Sequence, residues 1–300
     1  MNGKLSNLLG KKSQVSSPGE LALLASAFRL EMFDVLFQRQ TGHWGGASSA
    51  AELVTALYFN RLNIKPEDPR WEDRDRFILS KGHASVNLYT VLAHRGYFSP
   101  GELPGFRIMG SILQGHPNMK VTPGVDLSTG ALGHGVSAAA GMALAARIQK
   151  KKYWTYVMVG EGCLDEGQTW EALLFAGKYK PHGLVLFVDY NKVQLDGPSQ
   201  EVLPLEPLAD KFSAFGWYLA PQAYNGHDTG EILASYKWLD SVEPRDDVWP
   251  KAIIYNTVKG KGVSFMEGKS AWHGAPIDET SYRKGRPELE ADLDKKEAAL

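Results

Sequence analysis

The chain has one cysteine, no long apolar run and almost no net charge, and each scarcity excludes something. Cys163 alone cannot form an intramolecular disulfide or a cysteine-based zinc site, and it suits a reducing compartment. No window reaches the roughly 18 uninterrupted apolar residues of a spanning helix. The opening MNGKLSNLLGKKSQVSSPGE also lacks the apolar stretch of a signal peptide. Lys and Arg number 33 against 34 Asp and Glu, a net charge of −1, so neither the basic footprint of a nucleic-acid binder nor a polybasic membrane patch is present. The 43% apolar share of 300 residues is enough to bury a sizeable core. The expectation is a cytoplasmic globular protein with no nucleic-acid or membrane partner.

What the chain does have is glycine, and histidine beside it. Five of the eight histidines directly follow a Gly: His43, His83, His116, His134 and His227. Chance placement would give about one. Glycine lets a backbone turn sharply or approach a ligand, and histidine is the commonest acid, base and donor near neutral pH. The excess points to several ligand-facing loops.

Periodicity predicts a helix from Glu20 to the turn at Thr41-Gly42 and a second over Ala47–Arg61 capped by Ser48 or Ser49. A strand at Phe77–Ser80 leads into the loop SKGH and a helix through His94, and Gly135–Lys150 reads as a tightly packed small-residue helix. An α/β rhythm follows: strands at Tyr153–Val159, Leu184–Asp189, Gly216–Ala220 and Lys251–Val258, with helices at Gln168–Tyr179 and Asp228–Val242. Continuously apolar strands alternating with helices imply a parallel sheet covered on both faces. The charged end PELEADLDKKEAAL reads as a solvated helix, and the start, through Gly19, as a loosely held polar segment.

In open parallel sheets, ligands bind at the carboxyl ends of strands. Two ends stand out. Gly160-Glu161-Gly162 follows one strand, and Asn191 follows the next. A carboxylate and an amide oxygen on adjacent strand ends suit Mg²⁺, which prefers hard oxygen ligands and phosphates. The flanking glycines would let a diphosphate approach the backbone. Taken alone, the Gly-acid-Gly motif is a weak signal, explained better by a tight turn with a solvated Glu.

The wider context is specific. The blocks TGHWGG, DRDRFILSKGHAS, QGHPN, STGALGHGVSAAAGMALA, GEGCLDEGQTWEA, VDYNKVQLDG, GHD, KGKG and SAWHGAP run in order from about Glu20 to Pro276. In this set the sequence resembles the transketolase family, and GEG followed by N looks like its thiamin-diphosphate and metal motif, usually GDG and N. The resemblance covers the amino-terminal, diphosphate-binding part of that family. It implies an α/β thiamin-diphosphate-binding domain at 20–285, between a polar extension (1–19) and a charged helix or tail (286–300).

By this resemblance, Glu161, Asn191 and the carbonyl of Val193 hold Mg²⁺, for which Ca²⁺ or Mn²⁺ can substitute. Glu161 stands for the family's Asp, and its additional methylene moves the carboxylate by roughly 1.3–1.5 Å. His83, His273 and Lys259 match residues near the diphosphate and reacting carbons. Gly162 matches a backbone donor to phosphate, and Gly130, Ala131 and Leu132 the segment against the aminopyrimidine. His43 and His116 match sugar-facing residues, while Glu166 matches a carboxylate at the interface between paired cofactor sites. Trp44 stands where the family usually has Pro, which implies a differently shaped substrate pocket. His227, Asp189 and Asp196 read as structural, and His94 and His182 as surface residues. His134 is open between a cofactor-near and a structural role.

The family transfers a two-carbon ketol unit from a ketose to an aldose, and its cofactor-activating Glu lies on a pyrimidine-binding domain not found in this sequence. The resemblance therefore implies the amino-terminal subunit of a split transketolase that uses sugars or sugar phosphates. The partner would be a carboxyl-terminal subunit carrying that domain, in an α₂β₂ heterotetramer. Two other readings remain at this point: a regulatory protein that kept the fold, and the alpha subunit of another thiamin-dependent enzyme. A nicotinamide dehydrogenase is disfavoured, since no GxGxxG opens a βαβ unit.

Overall fold

The computed structural model describes residues 3–9, 14–242 and 250–300. Its centre is a parallel sheet of β1 (Arg76–Leu79), β2 (Thr155–Gly160), β3 (Leu184–Tyr190), β4 (Tyr218–Leu219), β5 (Tyr224–Asn225) and β6 (Lys251–Asn256). The strand order is β1-β2-β3-β6-β4, with β5 also paired to β6, and every pairing is parallel. All strand ends of one kind therefore share one edge. In register, Leu79 sits beside Met158, Gly160 beside Asp189 and Tyr190 beside Asn256.

Successive strand residues face opposite sides, which divides the core into two layers. Phe77, Leu79, Tyr156, Met158, Val185, Phe187, Ile253 and Tyr255 bury one face under α2 (Pro18–Arg39), α4 (Ala51–Ala56), α5 (Ser85–His94) and α11 (Thr229–Ser241). Ile78, Val157, Val159, Leu186 and Val188 bury the other under α6 (His134–Ile148), α8 (Gly167–Tyr179) and α10 (Leu208–Ala214). Both faces are covered, as continuously apolar strands require. Among the described residues the other α-helices are α1 (Gly3–Leu9), α3 (Trp44–Ser49), α7 (Glu161–Leu164), α9 (Ser199–Val202) and α12 (Glu279–Ala298).

Helix ends follow local chemistry. Ser17 caps α2 by accepting from the Glu20 amide, Pro18 opens the helix, and Gln40 ends it in a left-handed turn. Asp228 caps α11, accepting from Gly230 N at 2.8 Å and Glu231 N at 3.1 Å.

Four expectations need correction. Ser48 and Ser49 do not cap a helix: they lie inside α3, buried, after which the chain continues as α4 and a wider turn at Leu57–Arg61. His94 is not a surface residue; it stacks on Phe28 at 4.9 Å and its Nε2 lies 2.6 Å from Glu31 Oε2. The charged end is a helix but not a merely solvated one. α12 begins before residue 286, buries Leu289, and its Tyr282 stacks on Phe37 of α2 at 3.8 Å. The polar start is not loose where it is described, because Leu5, Leu8 and Val15 are buried. Residues 1–2 and 10–13 of that segment lie outside the described residues.

Candidate active site

Four neighbouring strands deliver side chains to the carboxyl edge of the sheet. β1 runs into Ser80–His83, β2 into Glu161, β3 into Asn191–Val193 and β6 into Lys259. Because all four strands run parallel, residues as distant in sequence as Lys81 and Lys259 reach the same edge. Beneath them, the fully buried Asp189 carboxylate pairs with Lys81 and accepts from Ser49 Oγ at 2.6 Å and from Thr257 Oγ1. Lys81 Nζ also donates to Gly46 O at 2.7 Å. Burial pushes the Asp189 carboxyl up, but the Lys81 ammonium and the two hydroxyls outweigh it and hold it below the ordinary value.

Lys259 is the cation at the centre. Its Nζ donates to the carbonyls of Val193 and Gln194, both at 3.0 Å, and to His273 Nδ1 at 2.7 Å. Glu161 Oε1 accepts from the Lys192 amide, and Asn191 Oδ1 from Val193 N at 3.2 Å. Behind Lys259, Val258 N donates to His227 Nε2 at 2.8 Å. His227 Nδ1 lies 3.1 Å from Glu52, which pairs with Arg29 at 2.5 Å. His227 thus supports the loop from behind, in the structural place expected for it.

These groups surround a cavity of about 380 Å³. Nine of the thirteen predicted site residues line it: His83, Leu132, Glu161, Gly162, Glu166, Asn191, Val193, Lys259 and His273. His43 stands against it, with ring centroids 5.2 Å from His83 and 5.4 Å from His273. His116 and Gly130 touch each other nearby, the His116 ring lying 3.4 Å from where a Cβ on Gly130 would sit. Ala131 is exposed beside them. His134, exposed at the start of α6, is not among the lining residues.

Trp44 overturns its expectation. The indole is 1% exposed and packs edge-on to Phe33 at 4.9 Å, in the core and not in the cavity. Local pattern also missed three contributors. Lys81 was visible in SKGH, but its pairing with Asp189 spans 108 residues. Gly46, the last glycine of TGHWGG, lines the cavity, and a Cβ there would lie 3.0 Å from His83 Nε2. Arg107, in no quoted block, reaches His43.

The electrostatics ask for two ligands of opposite sign. Burial and the nearby Asp189 charge push Glu161 up to about 7, a shift that a bound cation would reverse. Burial and the Lys81 charge hold Lys259 down to about 8. Burial, then Lys259, His43 and Lys81, lower His273 to about 3, and burial with Arg107, His116 and Lys259 lowers His43 to about 4. His83 is pushed well below its ordinary value by burial and Lys81, and His116 is lowered by burial and Arg107. An anion would relieve this crowding of positive charge. Among the described residues, no three His, Cys, Asp or Glu side chains gather to hold a metal on their own. A carboxylate, an amide oxygen and a carbonyl beside a cation-lined anion pocket instead fit a hard divalent metal that shares its ligand's phosphate oxygens.

A parallel α/β sheet whose carboxyl edge carries such a pocket defines the class of metal-diphosphate cofactor proteins. The comparisons narrow it. The family profile described as "Transketolase, thiamine diphosphate binding domain" matches residues 21–297. The 6-deoxy-6-sulfo-D-fructose transketolase subunit SqwG of Clostridium sp. (strain MSTE9) is 44% identical over 251 residues, 84% of this chain and 89% of that protein. An apulose-4-phosphate transketolase subunit of Phocaeicola vulgatus is 37% identical, with 92% of this chain and 96% of that protein covered. The crystal structure of Campylobacter jejuni transketolase matches with a TM-score of 0.82 at 28% identity, over 93% of this chain and 46% of that one. The chain thus spans a little under half the length of the solved transketolases it matches. It belongs to the transketolase family, of which it represents the thiamin-diphosphate-binding domain.

Proposed function

We propose that this chain is the amino-terminal subunit of a two-chain transketolase, moving a two-carbon ketol unit from a ketose to an aldose. The observation that carries the reading is the convergence of Glu161, Asn191 and Lys259 with three neutral histidines on one strand edge. Glu161, Asn191 and the Val193 carbonyl would hold Mg²⁺ or, in its place, Ca²⁺ or Mn²⁺. Lys259, His83, His273 and the Gly162 amide would face the diphosphate, and Gly130, Ala131 and Leu132 the aminopyrimidine. Thiamin diphosphate, when bound, supplies the carbanion chemistry of C–C cleavage and formation. The chain's part is to orient the sugar and hold protons. His43, His83 and His273 are neutral near pH 7, so each can donate at one ring nitrogen and accept at the other. His116, the more exposed of the four, would meet the sugar hydroxyls.

Two lines support a partner subunit. The relatives named above are themselves named as subunits, one for 6-deoxy-6-sulfo-D-fructose and one for apulose-4-phosphate. In addition, Glu166 is exposed, and Ile148, Leu174, Phe175 and Tyr179 leave apolar surface on α6 and α8. We assign the partner as a carboxyl-terminal subunit carrying the pyrimidine-binding domain, in an α₂β₂ assembly, and the donor as a ketose bearing an anionic group. No helix among the described residues is long and apolar enough to cross a membrane. With a single buried thiol, we assign the complex to the cytoplasm.

The test is native mass spectrometry of the complex from its own cells with Mg²⁺ and thiamin diphosphate present, followed by a ketol-transfer assay. The expected result is a heterotetramer with bound cofactor that transfers ketol units. A species of this chain alone that takes up no cofactor would overturn the reading.

A further inference from the structure

Arg107 lies outside the motif residues, yet it grips the loop that carries His43. Its Nη1 donates to Thr41 Oγ1 at 2.9 Å, and its Nη2 lies 3.4 Å from His43 Nδ1. The backbone pays for this placement with φ +59, a left-handed conformation that non-glycine residues seldom adopt, while Arg107 N donates to Leu113 O at 2.8 Å. Gly115 makes room, since a Cβ there would sit 2.9 Å from Arg107 Nε and 3.1 Å from Cζ. Among the described residues the guanidinium contacts no carboxylate, so its bonds go to a hydroxyl and an imidazole.

A guanidinium only donates. The atom it meets on His43 must therefore offer a lone pair, and the ring proton is left on Nε2. That nitrogen faces Gly274, where a Cβ would come within 3.3 Å of it, and it has no hydrogen-bond partner among the described residues. We propose that Arg107 is a positioning residue that locks His43 as the neutral Nε2–H tautomer, making the imidazole a hydrogen-bond donor, not a base, toward a substrate oxygen. This rests on the reading of His43 as sugar-facing. The groups that face His43 are Arg107, Lys259, His116, His83 and His273. None is a carboxylate that would favour the imidazolium. The depressed His43 value of about 4 agrees.

The test is ¹⁵N NMR of the imidazole nitrogens in the full chain, in wild type and in Arg107→Met, Arg107→Lys and Gly115→Ala. Wild-type His43 should show an unprotonated Nδ1 and a protonated Nε2, unchanged from pH 8 to about pH 5. Arg107→Met should mix the tautomers and raise the titration midpoint by about 0.5 pH or more. Arg107→Lys should keep the wild-type pattern. If Arg107→Met fails to fold, Gly115→Ala, which displaces the guanidinium, should give the same mixture. A wild-type His43 protonated on Nδ1, or a pattern indifferent to both Arg107→Met and Gly115→Ala, overturns the proposal. In the complex with its partner subunit, Arg107→Met should lower kcat by about tenfold or more with little change in KM. Unchanged kcat despite mixed tautomers would also overturn the positioning role. A wild-type complex without ketol transfer would instead refute the functional reading, and the spectra would still decide the tautomer.

Discussion

Replacing Asp189 with Leu removes the acceptor on which the carboxyl edge of the sheet is built. Lys81 would be left at 2% side-chain exposure with only Gly46 O as a partner, and Ser49 and Thr257 would lose their bonds to the carboxylate. Breaking a buried pair from one side costs about 3–5 kcal/mol, because an uncompensated charge stays behind. That is a large part of the roughly 5–15 kcal/mol that holds a domain folded. Removing both charges, as Lys81→Met with Asp189→Leu, should cost less than the sum of the singles by about 2 kcal/mol. Urea denaturation followed by circular dichroism, at pH 7.5 and without cofactor, measures all four corners of the cycle. The sign with pH also follows. A carboxylate held below its unfolded value contributes stability that is present above roughly pH 4 and lost as pH falls through the folded value. Asp189→Leu within about 1 kcal/mol of wild type, or strictly additive singles, would refute the reasoning.

Gly46→Ala should weaken cofactor binding by about tenfold with little loss of stability, because the new methyl meets His83 Nε2 and the Lys81 ammonium; calorimetric titration of thiamin diphosphate with Mg²⁺ checks it. Trp44→Pro places proline at the first position of α3, where the backbone tolerates it, but it empties a core site and should cost about 3–5 kcal/mol. Donor preference should not change, and a change in preference without loss of stability would contradict the buried position. The depressed histidines have their own pH signature. Below about pH 6.5 the unfolded chain takes up protons that folded His43, His83 and His273 refuse, so stability should fall between pH 6.5 and 4.5. A flat urea midpoint over that range would count against neutral histidines.

Continuous apolar runs made β2 and β3 legible in the sequence, and motif spacing located the loops behind them. Those strand ends pointed to Glu161 and Asn191, the resemblance to the transketolase family added Lys259, His83 and His273, and all five line one cavity. β4 keeps only two residues of the strand expected over Gly216–Ala220, whereas β5, also two residues, shows no period in the sequence; both pair with β6. Side-chain direction was the harder question. His43 and Trp44 are consecutive, yet one stands beside the site and the other is buried against Phe33, a choice made by packing with α2. Likewise, the partners of Lys81, His94 and Leu289 come from distant segments, so exposure could not be read from their neighbours.

That division at His43–Trp44 gives the cavity two unlike sides. One is carried by α3, whose residues are all buried and whose first side chain is anchored in the core. The other runs from Asn191 to Val202 and leaves Leu195 and Val202 exposed at 60% and 40%. Local opening follows such differences in buried contact. The amides of α3 should exchange with solvent only when the whole domain unfolds, whereas those after β3 should exchange through small excursions. A ligand that enters the pocket should therefore quench exchange along 191–202 while leaving the glycine-rich side, already a fixed bed, unchanged.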